Sequence, residues 1–105
     1  MLVLLVASSD APSTLDAVCG LAAASAGRGH EVTVFFHMDG VKLLNVSLRT
    51  GRLVHLLPLG VRLLACRTSA RERGVEGDLV EGAEMSSLGE LVELMERCDR
   101  ALFLD

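Results

Sequence analysis

Short apolar runs alternate with helical segments from one end of the chain to the other. Residues 2–7 form an uninterrupted apolar run, and Asp10 and Pro12 then give the start signals of a helix that we expect to end near Gly27. A second apolar run, residues 32–36, completes a β-α-β unit. This alternation predicts a parallel sheet with helices on both faces, and it constrains the fold more than any other feature of the sequence.

The same pattern continues in the second half of the chain. We expect short helices and a mobile loop in residues 37–60, a third strand in residues 61–65, and a short helix directly after Cys66. The chain then returns to the sheet near residues 83–85 and ends with a strand in residues 101–104. Before that strand, Ser87 and Glu90 form a capping box, and apolar residues repeat at helical spacing at Leu88, Leu91, Val92, Met95 and Cys98.

The composition supports a single α/β domain that spans residues 1–105. Half of the residues are hydrophobic and only 3% are aromatic, so Leu, Val and Ala must build the interior in aliphatic layers. A chain of 105 residues is long enough to bury one core of its own. We therefore expect an open, mostly parallel sheet of four or five strands.

The charge of the chain argues against several classes of partner and ligand. A net charge of −4 gives no electrostatic attraction to nucleic acid or to an acidic membrane surface. The apolar start is too short to span a bilayer and lacks a basic flank, so we expect a cytoplasmic protein. The three cysteines fit neither a disulfide framework nor a zinc spacing, and Gly27-Arg28-Gly29 follows a helix, so we expect no metal and no dinucleotide cofactor.

Cys66 is the first candidate for chemistry. It follows a buried strand and precedes a helix, so its thiol is expected at the carboxyl edge of the sheet, where ligands collect in this class of fold. The free N–H groups at the start of the helix favour a thiolate, which is the nucleophilic form. The other interpretation is a small apolar residue that finishes a strand, which is the usual role of a buried free cysteine.

Other polar residues are expected at the same edge. Arg67 and Arg71 can stabilise an anionic sulfur, although they can also form a solvated helix face. His37 can exchange a proton with the thiol, or it can be a cap or a surface group. Ser9 and Ser86 follow two of the predicted strands as binding or capping residues. Cys19 and Cys98 lie on apolar helix faces, and we assign them to the core.

The chain resembles the DsrE/DsrF-like family of small sulfur-relay proteins, which includes TusD-like sulfurtransferase subunits. The resemblance covers nearly the whole length. It rests on the order and spacing of several segments: residues 26–32, the Val34-Phe35-Phe36 strand, Asp39-Gly40-Val41, residues 60–66 with Arg73-Gly74-Val75, residues 87–91 and Cys98-Asp99-Arg100.

The resemblance implies a DsrE-like fold and a persulfide on Cys66, which matches the sulfur-accepting cysteine of the family. That sulfur would come from one protein thiol and pass to another. The resemblance also implies a homo-oligomer, as a dimer, trimer or hexamer. We expect the apolar residues 53–57 either to be its most adhesive patch outside the main sheet or to cover one face of the sheet. Residues 42–59 are shorter than the insertion in TusD-like subunits, and this segment helps to shape the pocket and the subunit contacts.

Three functions are compatible with these features. The first is a sulfurtransferase that carries a persulfide on Cys66, and the second is a noncatalytic module for small-ligand binding or assembly. The third is a rhodanese-type enzyme, because Arg67 and Arg71 match the Cys-Arg-x-x-x-Arg spacing of a rhodanese loop, with Ser69 where that loop has glycine. A regular helical turn that starts near Ser69 would exclude this third function.

Overall fold

The computed structural model describes residues 1–48 and 51–105, which fold into one α/β domain. The strands are β1 (Leu2–Ala7), β2 (Glu31–Phe36), β3 (Arg62–Cys66), β4 (Ala83–Ser86) and β5 (Arg100–Leu104). The α-helices are α1 (Pro12–Gly27), α2 (Arg67–Glu72) and α3 (Leu88–Arg97). The predicted alternation of strands and helices is therefore confirmed.

The strands form one five-stranded sheet in the order β4-β3-β2-β1-β5. Every pair of neighbours is parallel, so the predicted sheet is confirmed, with five strands of one direction. The first four strands are added side by side, whereas α3 carries the chain from β4 at one edge to β5 at the other. The carboxyl ends of all five strands consequently meet at one rim of the sheet.

One side of the sheet, which we call the α1 face, carries most of the core. Alternate β1 side chains Val3, Leu5 and Ala7 point to this face, as expected for the two-residue period of a strand. They pack under the apolar stripe of α1, where Leu15, Val18 and Ala22 repeat at helical spacing. Buried side chains of α2 and of the segment between β2 and β3 extend the same cluster: Val41, Leu43, Leu44, Leu53, Leu56 and Ala70.

The opposite side, which we call the α3 face, has a smaller core under one helix. Its cluster consists of Leu2, Leu4, Val6, Phe35, Leu64 and Cys66 from the strands and Leu91 and Leu94 from α3. The predicted capping box is present in part, because Ser87 Oγ accepts a hydrogen bond from the backbone N–H of Glu90 at 3.1 Å. This bond fixes the point at which α3 begins.

The apolar repeat of α3 is only partly buried, which differs from the prediction. Leu91 and Leu94 are buried, but Leu88, Val92 and Met95 are 55%, 53% and 45% exposed. The reason is that only one flank of the helix meets the sheet. The chain leaves the other apolar flank uncovered.

Three short 3-10 helices connect β2 to β3: Met38–Leu44, Val46–Leu48 and Val54–Leu59. The expectation of short helices is confirmed for this segment, while residues 49 and 50 of the predicted loop lie outside the described residues. Leu53 and Leu56 are 2% and 3% exposed and belong to the α1-face cluster. Of the two interpretations of residues 53–57, cover of a sheet face is therefore the one that the structure supports for Leu53 and Leu56.

The first of these helices lies directly on the rim of the sheet. Gly40 is buried there, and a Cβ atom at this position would overlap the carbonyl oxygen of Ala7 at the end of β1. The backbone N–H of His37 also donates to that carbonyl at 3.0 Å. Only glycine allows this close approach, so Gly40 fixes how the segment after β2 leaves the sheet.

Candidate functional site

Cys66 is the last residue of β3 and directly precedes α2. Its backbone pairs with Ser86 at the end of β4, so both residues lie at the carboxyl rim. The side chain belongs to the α3-face cluster, and the residue is only 3% exposed. The strand extends one residue further than predicted, and Cys66 points to the same face as Leu64, two residues earlier. Of the two interpretations of Cys66, its low exposure agrees with packing at the end of a strand.

An open crevice of about 490 Å³ lies beside Cys66 at the rim between β3 and β4. Three elements line it, and Cys66 itself is not among the lining residues. Arg67, Thr68 and Arg71 come from α2, Met85 and Ser86 from β4, and Ser87, Leu88 and Glu90 from the start of α3. Three predicted site residues, Arg67, Arg71 and Ser86, are thus brought together.

The two arginines of the crevice differ in their partners. Arg71 forms an ion pair with Glu76, with Nε 2.6 Å from the carboxylate oxygen. Within residues 1–48 and 51–105, Arg67 has neither a hydrogen bond nor an ion pair through its side chain. The guanidinium of Arg67 is therefore the cation of the crevice that is available to a ligand.

Glu90 is the one carboxylate that lines the crevice, and the sequence indicated for it only a capping role. Its side chain accepts a hydrogen bond from the hydroxyl of Ser86. A second carboxylate oxygen lies 3.7 Å from the guanidinium of Arg62, which also pairs with Glu84 at 3.1 Å. The signal that could have indicated this cluster was the Ser86-Ser87-x-x-Glu90 spacing, which places two hydroxyl groups near one carboxylate.

Ser69 holds the turn after β2 against α2. Its buried hydroxyl accepts a hydrogen bond from the backbone N–H of Met38 at 2.8 Å. Met38 has a φ of 53°, which is rare for a residue with a side chain, so this bond stabilises a strained turn. Ser69 therefore has a structural contact and does not line the crevice, contrary to its predicted placement in the site.

A charged contact strengthens the same junction. Arg73 Nε donates to Asp39 at 3.0 Å, and Lys42 lies 3.5 Å from the same carboxylate. The hydrogen bond from Arg73, with the nearby charge of Lys42, holds the pKa of Asp39 below its ordinary value. The turn after β2 and the end of α2 are thus tied together beside the rim.

His37 directly follows β2 at the rim and is half-buried. Burial, with a smaller contribution from the charge of Arg73, lowers its pKa below the ordinary value of 6.5. The imidazole is therefore neutral at pH 7. It stands 6.3 Å from the ring of Phe35, centroid to centroid, and does not line the crevice.

Ser9 has a local structural contact at the start of the first helix. Its hydroxyl accepts a hydrogen bond from the backbone N–H of Ala11 at 3.0 Å. Ala11 is the N-cap residue directly before α1, and its side chain makes no capping hydrogen bond. Asp10 is therefore not the cap that the sequence indicated. Ser9 also lies outside the crevice.

The remaining cysteines and the rhodanese hypothesis are decided by local structure. Cys19 and Cys98 are partly buried on their helices, as predicted, and burial raises the pKa of Cys19. Residues 67–72 form a regular α-helix. This geometry excludes a rhodanese-type cradle of backbone N–H groups around sulfur.

Two further classes of site are absent from residues 1–48 and 51–105. None of the helices there has the length and apolar character needed to cross a bilayer. That part of the chain also brings together no group of three His, Cys, Asp or Glu side chains able to hold a metal ion.

Comparison with known proteins identifies the family. The DsrE/DsrF-like family model matches residues 1–104. The chain belongs to the DsrE/DsrF-like family. Membership supports a role in sulfur relay in general terms, together with protein partners.

The fold comparison agrees with this assignment. The crystal structure of the YchN protein from E. coli superposes with a TM-score of 0.80, at 20% sequence identity, and the match covers 98% of this chain and 97% of that one. At this identity the likeness establishes a shared fold. No curated protein sequence is matched.

Proposed function

We propose that this member of the DsrE/DsrF-like family is a cytoplasmic sulfurtransferase that carries a persulfide on Cys66. The observation that supports the proposal best is the position of Cys66. It ends β3, and its strand partner Ser86 lines the crevice at the rim. The resemblance to the family matches it to the sulfur-accepting cysteine. The thiol is thus covered, but it lies one residue away from an opening.

The transfer consists of two exchange steps. The Cys66 thiolate attacks the outer sulfur of a donor persulfide, R–S–SH, and the donor sulfur–sulfur bond breaks to release R–S⁻. Cys66 then holds the outer sulfur as Cys–S–SH. A thiolate on the acceptor protein attacks this outer sulfur and releases the Cys66 thiolate, so no net oxidation or reduction takes place.

The burial of Cys66 requires that the site opens before each step. The sulfur lies in the α3-face cluster with Leu91, and the start of α3 is held by the hydrogen bond from the Ser86 hydroxyl to Glu90 and by the ion pair between Glu90 and Arg62. We propose that a partner protein displaces the start of α3 and exposes the sulfur. Arg67, next to Cys66, supplies the positive charge that supports an anionic persulfide.

Intact-mass measurement tests the proposal. A double variant, Cys19→Ala with Cys98→Ala, retains Cys66 alone and is treated with inorganic polysulfide. We expect a gain of one sulfur atom that a cyanide treatment removes, and no gain when Cys66→Ala is added. The proposal is wrong if the Cys66-only protein takes up no sulfur in the folded state or in mild denaturant that opens the rim.

The 3% exposure of Cys66 favours a second function, a noncatalytic module for ligand binding or assembly. In this case Cys66 is packing at the end of a strand. It predicts slow alkylation of Cys66 and normal activity in cells after Cys66→Ser. Loss of activity in Cys66→Ser, in a protein of unchanged stability, would decide for sulfur transfer.

We also propose that the chain forms a homo-oligomer, whether dimer, trimer or hexamer. Val92 and Met95 lie on the flank of α3 opposite Glu90, which faces β4. Phe103 pairs with Val6 on the same face of the sheet, on the edge strand β5, and is 59% exposed. These three residues, which we call the α3 flank, form an uncovered apolar surface.

Light scattering after gel filtration tests this proposal. We expect a mass above that of one chain, and a fall to the monomer mass in Val92→Glu and Phe103→Glu. Leu59→Glu is the matched control, because Leu59 is 53% exposed and lies in a 3-10 helix away from the α3 flank. A monomer in the wild type would contradict the proposal.

A further inference from the structure

The crevice between β3 and β4 lies where the topology of the sheet opens its rim. The helix that follows β3 packs on the α1 face, since Ala70 of α2 belongs to that cluster. The helix that follows β4 packs on the α3 face through Leu91 and Leu94. After the adjacent strands β3 and β4 the chain therefore turns toward opposite faces of the sheet. This divergence leaves the rim between the two strands open. Ligands in open parallel sheets bind at such a point.

The polar groups of the crevice indicate the charge of its ligand. Arg67 offers a guanidinium with no partner among the described residues. Thr68 and Ser87 add hydroxyl groups on either side. The carboxylate of Glu90 accepts the hydrogen bond from Ser86 and lies 3.7 Å from the guanidinium of Arg62, which offsets part of its negative charge.

The size and the walls of the crevice indicate more than an inorganic ion. A volume of about 490 Å³ is in the range of small-molecule pockets. Met85 and Leu88 provide an apolar wall beside the polar groups, and Leu88 is 55% exposed in the folded chain. We propose that this crevice binds a small organic molecule with one oxyanion group, the oxyanion on Arg67 and the apolar part against Met85 and Leu88.

This inference does not rest on sulfur transfer by Cys66. Cys66 lies outside the lining of the crevice, so Cys66→Ala keeps the ligand site while it removes the persulfide. The two proposals therefore fail separately. A bound organic anion next to Cys66 would either be the sulfur donor itself or control when the start of α3 opens, because Arg67 and the start of α3 line the same crevice.

Amide shifts in NMR titrations test the proposal at constant ionic strength, which keeps screening equal between ligands. The probes are butanesulfonate, butanoate and butyl phosphate, which share one tail and differ in the oxyanion, with butanol as the neutral control. We expect at least one anion to give saturable shifts in residues 67–71 and 85–90. The anion that binds most tightly identifies the oxyanion class. We expect no saturable shifts with butanol.

Three variants test whether the charges at the crevice are responsible for anion binding. Arg67→Ala weakens the best anion by roughly tenfold or more, the usual effect of losing a charge-assisted hydrogen bond. Glu90→Gln keeps the contact with Ser86 but removes a negative charge, so it strengthens binding. Arg97→Ala, at the exposed far end of α3, leaves binding unchanged.

Four results would overturn the proposal. They are the absence of saturable shifts with all three anions, equal binding of butanol, equal weakening by Arg97→Ala and Arg67→Ala, and weaker binding in Glu90→Gln. The last result would mean that the Glu90 carboxylate contributes to binding of the anion instead of opposing it. Since Arg67 and Glu90 are exposed or half-exposed, the variants are expected to fold, and circular dichroism confirms this for each.

Discussion

The two faces of the sheet are built from the same strands but are covered very differently. The α1 face lies under a helix of 16 residues, α2 and 3-10 helices, and its side chains form one continuous buried cluster. The α3 face lies under a single helix of ten residues. Among the described residues, Leu88, Val92 and Met95 of that helix remain exposed, and so does Phe103 on the edge strand β5.

This difference separates stability from function within one small domain. The α1 face holds most of the buried aliphatic area, so it contributes most of the hydrophobic free energy of folding. The α3 face carries Cys66, the α3 flank and the helix that lines the crevice. Substitutions on the two faces should therefore have different consequences, and the following ones test this from the largest expected effect to the smallest.

Gly40→Ala breaks the cover of the α1 face at the rim. The added Cβ overlaps the Ala7 carbonyl, and a backbone atom cannot move aside as a flexible side chain can. We expect a loss of more than about 4 kcal/mol in the free energy of unfolding, enough to unfold many domains of this size. Urea denaturation followed by circular dichroism measures it.

Gly20→Ala is the matched control for that clash. Gly20 lies inside α1, and a Cβ atom there meets no other atom within 4 Å. Because alanine favours a helix over glycine, this variant should be more stable than the wild type by roughly 0.5–1 kcal/mol. A loss of stability in Gly20→Ala, or a negligible loss in Gly40→Ala, would contradict the packing of the rim described above.

Leu94→Ala tests the core of the α3 face. Leu94 is 1% exposed and points from α3 into the core of this face. Its truncation leaves a cavity and should lower the free energy of unfolding by about 3 kcal/mol. Val92→Ala, two residues away, should change the stability of the monomer by less than about 0.5 kcal/mol. Thermal or urea unfolding at a low protein concentration compares them. Similar losses of stability in both variants would show that the buried and the exposed side of α3 contribute equally to stability.

The strands could be predicted because buried strands appear in a sequence as short apolar runs bounded by turn residues. Residues 2–7, the second strand and α3 lie close to where the sequence placed them. The exposure of Val92 and Met95 could not be predicted, since an apolar repeat shows that a helix has a surface to bury but not whether the same chain covers it. The burial of Leu53 stayed one of two alternatives for the converse reason: a short apolar segment gives no sign of which surface it meets.

The sequence predicted where the candidate site lies in the sheet, but not which side chains contact one another there. The ends of β3 and β4 brought Arg67, Arg71 and Ser86 together as the strand order requires. The sequence left the burial of Cys66 open. In the structure Cys66 ends β3 and points to the same face as Leu64, two residues earlier, where α3 covers it. The role of Glu90 was missed because the capping pattern already explained that residue.

Ser87→Ala tests the start of α3, the only α-helix that covers the α3 face in the described part of the chain. The variant removes the hydrogen bond from the Glu90 N–H to the Ser87 hydroxyl, and it should cost about 1 kcal/mol. Ser13→Ala, in the first turn of α1, removes no cap and should leave stability nearly unchanged. Chemical denaturation measures both variants. Equal effects of the two substitutions would mean that the cap of α3 contributes nothing specific.

The smallest expected effect concerns His37, at the rim between the two faces. Burial and the charge of Arg73 lower its pKa in the folded chain, whereas the unfolded chain binds a proton at the ordinary value of 6.5. As the pH falls through 6.5, the unfolded state takes up a proton that the folded state does not, so the folded state loses stability. His37→Gln removes this loss, and its stability should fall less steeply than that of the wild type on acidification.

Arg73→Gln separates the two causes in the same measurement. Burial is the larger cause, so removing the charge of Arg73 should reduce the acid sensitivity that comes from His37 without abolishing it. Asp39, the partner of Arg73, has an ordinary pKa of 3.8 that is lowered further in the folded chain, so its own titration falls at more acid pH and leaves the window just below 6.5 to His37. Urea midpoints at several pH values would contradict this account if His37→Gln and the wild type lost stability in parallel, because His37 would then keep its ordinary pKa at the rim.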